Sequence, residues 1–183
     1  EDGFSEFILG GKSKYKEKTL WSNDLVQFLY DLQDVLSERL GAEHELQIFT
    51  THKRGDKLFR GHPNFRGKGH WRDWVWVNYG ADGDFCCHIW CFVVIPPVPG
   101  RPISYGTTWL EEGTFAVVET SKVGFPLPGE RESELLMPIN KEAHLDNNGV
   151  VTEKIFSLAN TAAFLAPACV VPDIGGPPNR YYV

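Results

Sequence analysis

The chain is poor in the features that mark several large protein classes. It has one methionine and four cysteines in 183 residues. No apolar run approaches the ~20 residues of a membrane helix. The longest, Ile89 to Pro99, is interrupted by Pro96 and Pro97. Glycine (18) and proline (12) make up about a sixth of the residues, too few for a low-complexity chain. With 13% aromatic residues, wholesale disorder is excluded. No GxxxxGK motif precedes Ser or Thr, and no GxGxxG follows a strand, so phosphate cradles lack support. GxSxG, HExxH and EF-hand loops are also missing. The first residue is Glu and the sole Met is Met137, as expected of a processed product or an excised domain.

What is present is enough apolar material, 42%, for one sizeable core. A single domain over residues 1–183 is expected, with an arm over 1–21, a helix over 22–40 and a barrel over 45–183. The barrel carries a long insertion at about 96–150. The helix is amphipathic. Leu25, Phe28, Leu29, Leu32, Val35, Leu36 and Leu40 recur at three and four, Ser22 can cap the start, and Gly41 can stop the end. Beyond it the period changes to two. Strands are predicted at Leu46–Lys53, Lys57–Gly61, Trp74–Tyr79, Phe85–Ile95 and Thr114–Glu119, near Leu135–Ile139 and at Ala168–Val171, with Gly55-Asp56 as a turn. Residues 150–158 alternate weakly, and a helical turn fits within Ile155–Leu165. The fold class that follows is mainly β, an irregular barrel with one N-terminal amphipathic helix.

Three cysteines crowd into FCCHIWCFVVI. Regular alternation puts Cys87, Ile89, Cys91, Val93 and Ile95 on one face, and Cys86, His88, Trp90 and Phe92 on the other. Cys87 and Cys91 are then ~13 Å apart along a strand, too far for one zinc ion with ligands at ~2.3 Å. Buried reduced thiols are the expectation for the cysteines, Cys169 included, with a reducing, intracellular compartment. No metal or cofactor is expected.

The net charge of −6 conceals a split. Lys53 to Arg72 carries seven Lys and Arg against Asp56, or +6 in 20 residues, which leaves −12 for the other 163. A shorter basic run is Lys12, Lys14, Lys16 and Lys18. Within the basic window, RGHPNFRGKGHWRDWVW interleaves cations with aromatics. The candidate ligand surface is Arg60, His62, Phe65, Arg66, Lys68, His70, Trp71 and Arg72. Arg and Lys there suit phosphates while Phe65 or Trp71 stacks on a base. Aromatic walls around a methylated lysine, or Trp and Arg anchors in a protein groove, are alternatives. The bland reading is a soluble hairpin edge, with Trp74 and Trp76 used for packing and Arg72 paired with Asp73.

The segments FRGHPNFRGKGHWRDWVWV, HIWCFVVIP and APACVVPDIGGPPNRYYV resemble a domain encoded by DNA transposons of protists and some other eukaryotes. The order of strands, with Val75 and Val77, Ile89 to Ile95, and Cys169 to Val171, is also similar to BAH-type (bromo-adjacent homology) domains. That resemblance implies an SH3-like or BAH-like barrel acting as a non-catalytic binding module. Together with the basic aromatic window, the expectation is binding of nucleic acid or a histone or other chromatin protein, in the nucleus, within a larger, transposon-derived protein. Two other classes stay open. One is an assembly subunit meeting protein partners through helix 22–40. The other is a small hydrolase or metal enzyme using His62, His70 and Asp73.

Overall fold

The computed structural model describes residues 21–63, 68–100, 102–106, 108–123, 137–172 and 180–183. The described residues are mainly β with one α-helix, and the main antiparallel sheet curls into a half-barrel. Helix α1 spans Asn23–Leu40. The strands are β1 (Ile48–Phe49), β2 (Thr51–Arg54), β3 (Lys57–His62), β4 (Trp71–Arg72), β5 (Trp74–Asn78), β6 (Asp84–Ile95), β7 (Ile103–Tyr105), β8 (Thr108–Leu110) and β9 (Gly113–Val123). They continue with β10 (Pro138–Lys141), β11 (Ala143–Leu145), β12 (Val151–Lys154), β13 (Ser157–Asn160), β14 (Phe164–Ala168), β15 (Val171–Pro172) and β16 (Arg180–Tyr182). No helix among the described residues is long and apolar enough to cross a membrane.

The helix forms where its periodicity places it. The Ser22 hydroxyl accepts a hydrogen bond from the Leu25 amide, and Gly41 closes the helix in the left-handed region at φ 68°. Leu25, Leu29, Leu32 and Leu36 are buried, each contributing roughly 1.5–3 kcal/mol by leaving water.

The two long strands β6 and β9 pair along their length and carry the sheet. Each has different neighbours in its two halves. On its other edge β6 pairs with β5 through Phe85–His88 and with β1 at Phe92 and Val93. Similarly, β9 pairs with β13 through Phe115–Val118 and with β10 at Ser121–Val123. The order across the sheet is β14-β5-β6-β9-β10-β16-β15. Residues 96–150 are therefore not all an insertion, because they include the central strand β9.

One irregularity decides which side chains share a face. The β6–β9 register shifts between Ile89 and Cys91, so Trp90 is an extra residue in the ladder. Alternation inverts there. Cys87 and Ile89 pack with Phe59, Val75, Val77, Phe92, Ala116 and Val118 on one face. Cys91, Val93 and Ile95 pack with Phe115, Val117, Leu158 and α1 on the opposite face. The expected single face for Cys87 through Ile95 is thus incorrect, because one unpaired residue reverses every position after it. Gly61 makes room for this bulge. A Cβ at Gly61 would lie 2.7 Å from the Trp90 carbonyl carbon and 2.8 Å from the Cys91 amide nitrogen.

Cys86, Cys87 and Cys91 are buried free thiols, as expected, but Cys169 is exposed. Ala168–Val171 is not a buried strand either. Strand β14 ends at Ala168, β15 begins at Val171, and Val171 is exposed. A short apolar run can lie at a sheet edge, and its composition alone does not distinguish edge from core. The helical turn expected within Ile155–Leu165 is a 3-10 turn at Thr161–Ala163.

Candidate functional site

Helix α1 packs on the part of one sheet face formed by Cys91, Val93, Ile95, Phe115 and Val117. Further along the same face, Trp74, His88 and Glu119 stand in one row across β5, β6 and β9. Lys141 reaches this row from β10, and Trp90 reaches it from the bulge. The Glu119 carboxylate is buried within a ring of donors. Its Oε2 accepts from Trp90 Nε1 at 2.6 Å and from Lys141 Nζ at 2.8 Å. Lys141 Nζ also lies 2.8 Å from His88 Nδ1. An ammonium only donates, so Nδ1 accepts and the His88 proton sits on Nε2. The 3.2 Å approach of Nδ1 to Oε2 is then bridged by the shared ammonium.

The protonation states follow from these contacts. Burial would raise the Glu119 pKa, but the polar neighbours of its carboxylate, with the Lys141 ammonium on Oε2, outweigh burial and hold it at about 2. Burial lowers His88 to about 4, so the ring is neutral at pH 7. Burial also lowers Lys141, against the attraction of Glu119. Arg72 falls to about 10 through burial and stays charged. The cluster therefore gathers two partly buried cations, Arg72 and Lys141, against one buried carboxylate.

Every aromatic ring around this cluster already has a cation over it. Arg72 lies 3.4 Å from the Trp90 ring centroid. Lys141 Nζ lies 5.0 Å from Trp74 and 4.9 Å from Tyr181. Arg60 lies 4.6 Å from Trp71. Trp74 stacks on His88 with ring centroids 4.5 Å apart. Above the cluster opens a cleft of about 350 Å³, lined chiefly by His70, Trp71, Arg72, Trp74, His88 and Tyr181. Arg72 Nε is buried and has no hydrogen-bond partner among the described residues.

The residues expected from sequence divide into three groups. His70, Trp71 and Arg72 line the cleft. Arg60 and His62 lie beside it on β3, where His62 pairs with Trp71 and Gly61 with Arg72. Lys68 is exposed. Phe65 and Arg66 lie outside the described residues. Asp73 does not pair with Arg72 as expected. It accepts from the Arg60 amide at 2.7 Å and from Trp71 Nε1 at 2.8 Å, and its carboxylate lies 4.0 Å from the Arg60 guanidinium. These bonds make Asp73 a tie between β3 and β4, which weighs against its use with His62 and His70 in catalysis. Among the described residues no group of three or more His, Cys, Asp or Glu side chains is arranged to hold a metal ion.

Sequence reasoning missed His88, Trp90, Glu119, Lys141 and Tyr181. Glu119 does leave a signal. It ends the apolar stretch TFAVVE on the same parity as Phe115 and Val117, which are fully buried. A carboxylate at an inward position needs partners. Lys141 leaves none, since its four-residue strand follows a stretch without clear period. Scans against family models, curated proteins and solved structures found no match to this chain.

Proposed function

We propose that this domain is a non-catalytic recognition module whose cleft binds nucleic acid, with phosphate drawn to Arg72 and Lys141 and an unstacked base resting against the exposed Trp71. The observation that carries this reading is an aromatic cleft built over an excess of partly buried positive charge. An anion entering the cleft meets two cations and one carboxylate in a partly desolvated setting, where charge counts for more than in water. The exposed Lys53, Arg54 and Lys57 on the β2–β3 hairpin extend the same sign of potential.

The same geometry separates the competing ligands. A methylated lysine needs a cage of several uncovered aromatic faces, whereas Trp74, Trp90 and Tyr181 already hold internal cations. Docking through helix 22–40 would need an apolar stripe, and α1 spends its stripe on the protein's own core. The nuclear, chromatin-linked or transposon setting rests on the sequence resemblance to BAH-type and transposon-encoded domains.

The test is binding of labelled single strands and duplexes of DNA and RNA at ~50 and ~200 mM salt. Tighter binding of single strands, falling steeply with salt, is expected. Trp71→Ala should weaken it by roughly 1–3 kcal/mol if the ring stacks on a base. Absence of binding at low salt would remove nucleic acid as the ligand.

A further inference from the structure

The same part of the sheet face carries a second concavity of opposite character. One row further along the strands, Trp76, Cys86 and Ser121 are aligned across β5, β6 and β9. Together with Ile139 and Met137 they line a groove of about 450 Å³. Asp82 and Asp84 stand at its rim, on the 3-10 turn Gly80–Asp82 and the start of β6. Both are exposed.

We propose that this groove binds the guanidinium of an arginine side chain presented by a partner segment. Four observations carry the assignment. First, no cation lies over Trp76 among the described residues, in contrast to Trp71, Trp74 and Trp90. Its ring is open to a flat cation. Second, the rim is anionic. Lys122, the one cation among the described lining residues, is engaged by Glu142. Asp84 uses one carboxylate oxygen to accept from Asn78 Nδ2 at 2.6 Å, which leaves the other oxygen open. Third, Ser121 is only 3% exposed and lines the groove, yet its Oγ has no hydrogen-bond partner among the described residues. A buried hydroxyl without a partner is costly and marks a place where a ligand donor belongs. Fourth, Cys86, Ile139 and Met137 give an apolar floor that suits an alkyl stem.

Guanidinium fits this set better than ammonium. It stacks flat on an indole while its edge donates to carboxylate and hydroxyl oxygens, whereas an ammonium is a compact, strongly hydrated point charge. The assignment is independent of the nucleic-acid reading, since it uses none of the residues in the cationic cleft.

The test is titration of the isotopically labelled chain with Nα-acetylarginine amide, read by NMR at the Trp76 indole N–H signal. That signal is identified by its loss in Trp76→Phe. Saturable movement of this signal is expected, with weaker movement for Nα-acetyllysine amide. Asp82→Asn with Asp84→Asn should weaken binding about ten-fold, and Ser121→Ala should weaken it to a smaller extent. Unchanged spectral dispersion in the double variant separates loss of binding from loss of fold. No response at Trp76, an equal response to the lysine compound, or full binding by the double variant would each overturn the proposal.

Discussion

Two neighbouring rows of one sheet face have opposite electrostatics. The row Trp74, His88 and Glu119 lies about 7 Å from the row Trp76, Cys86 and Ser121, two residues along each strand. In the first row a buried carboxylate recruits Lys141, and Arg72 sits over Trp90. The result is a cationic cleft whose aromatic faces are covered. In the second row the only inward polar group is an uncharged hydroxyl, the cations are engaged elsewhere, and the rim is acidic. The comparison teaches that a tryptophan's ligand is not set by the tryptophan. Trp74 and Trp76 share a strand and a face, yet the charges brought over each ring make one suited to anions nearby and the other to cations.

The sharpest way to break the comparison is Glu119→Gln. It leaves Lys141 without the buried carboxylate it pairs with, and Arg72 without a nearby counter-charge, and should cost about 3–5 kcal/mol in denaturant unfolding. A loss below ~1 kcal/mol would mean that the cluster is not the electrostatic unit described here.

The next largest effect is the pH dependence of the wild type. The unfolded chain protonates its histidines near 6.5, whereas His88 in the folded state protonates only at about 4. Between these values unfolding takes up a proton, so stability falls as pH falls, by about 3 kcal/mol over the whole window. His88→Asn should flatten that segment of the stability curve. Glu119, held at about 2 against an ordinary 4.5, should add a further loss below pH 4.5 in both proteins. An unaltered curve in the variant would assign the acid sensitivity to other groups.

Gly61→Ala should cost about 1–3 kcal/mol, because the added methyl collides with the backbone of the bulge that delivers Trp90 to Glu119. Salt-dependent binding in the cleft should weaken with it, while the Trp76 groove keeps its response. Smallest of all, Asp82→Asn and Asp84→Asn should change stability by no more than about 0.5 kcal/mol each, since both side chains are exposed. Thermal melts of the five variants would rank these effects directly.

Much of the framework is legible in the residues. The leucine spacing and its Ser22 and Gly41 caps mark α1, Gly55-Asp56 marks the β2–β3 turn, and the alternation in WVWVNY puts Trp74 and Trp76 together opposite Val75 and Val77. His70, Trp71 and Arg72 were legible as cleft residues because cations and aromatics are dense there. The bulge at Trp90 was not, for no residue in FCCHIWCFVVI announces it. It depends on Gly61, a residue of another strand, to accept the displaced backbone.

By itself, the sequence determined the local periods, the helix ends, the turn positions and the dense basic-aromatic stretch, because each depends on side chains a few residues apart. Tertiary structure alone decided the charge of each cavity. Glu119 is 31 residues from His88 and 22 from Lys141, and only sheet pairing sets them within hydrogen-bonding reach. Desolvation then turns a neutral-looking scatter of Glu, Lys, His and Arg into one cationic cleft and leaves an anionic groove beside it.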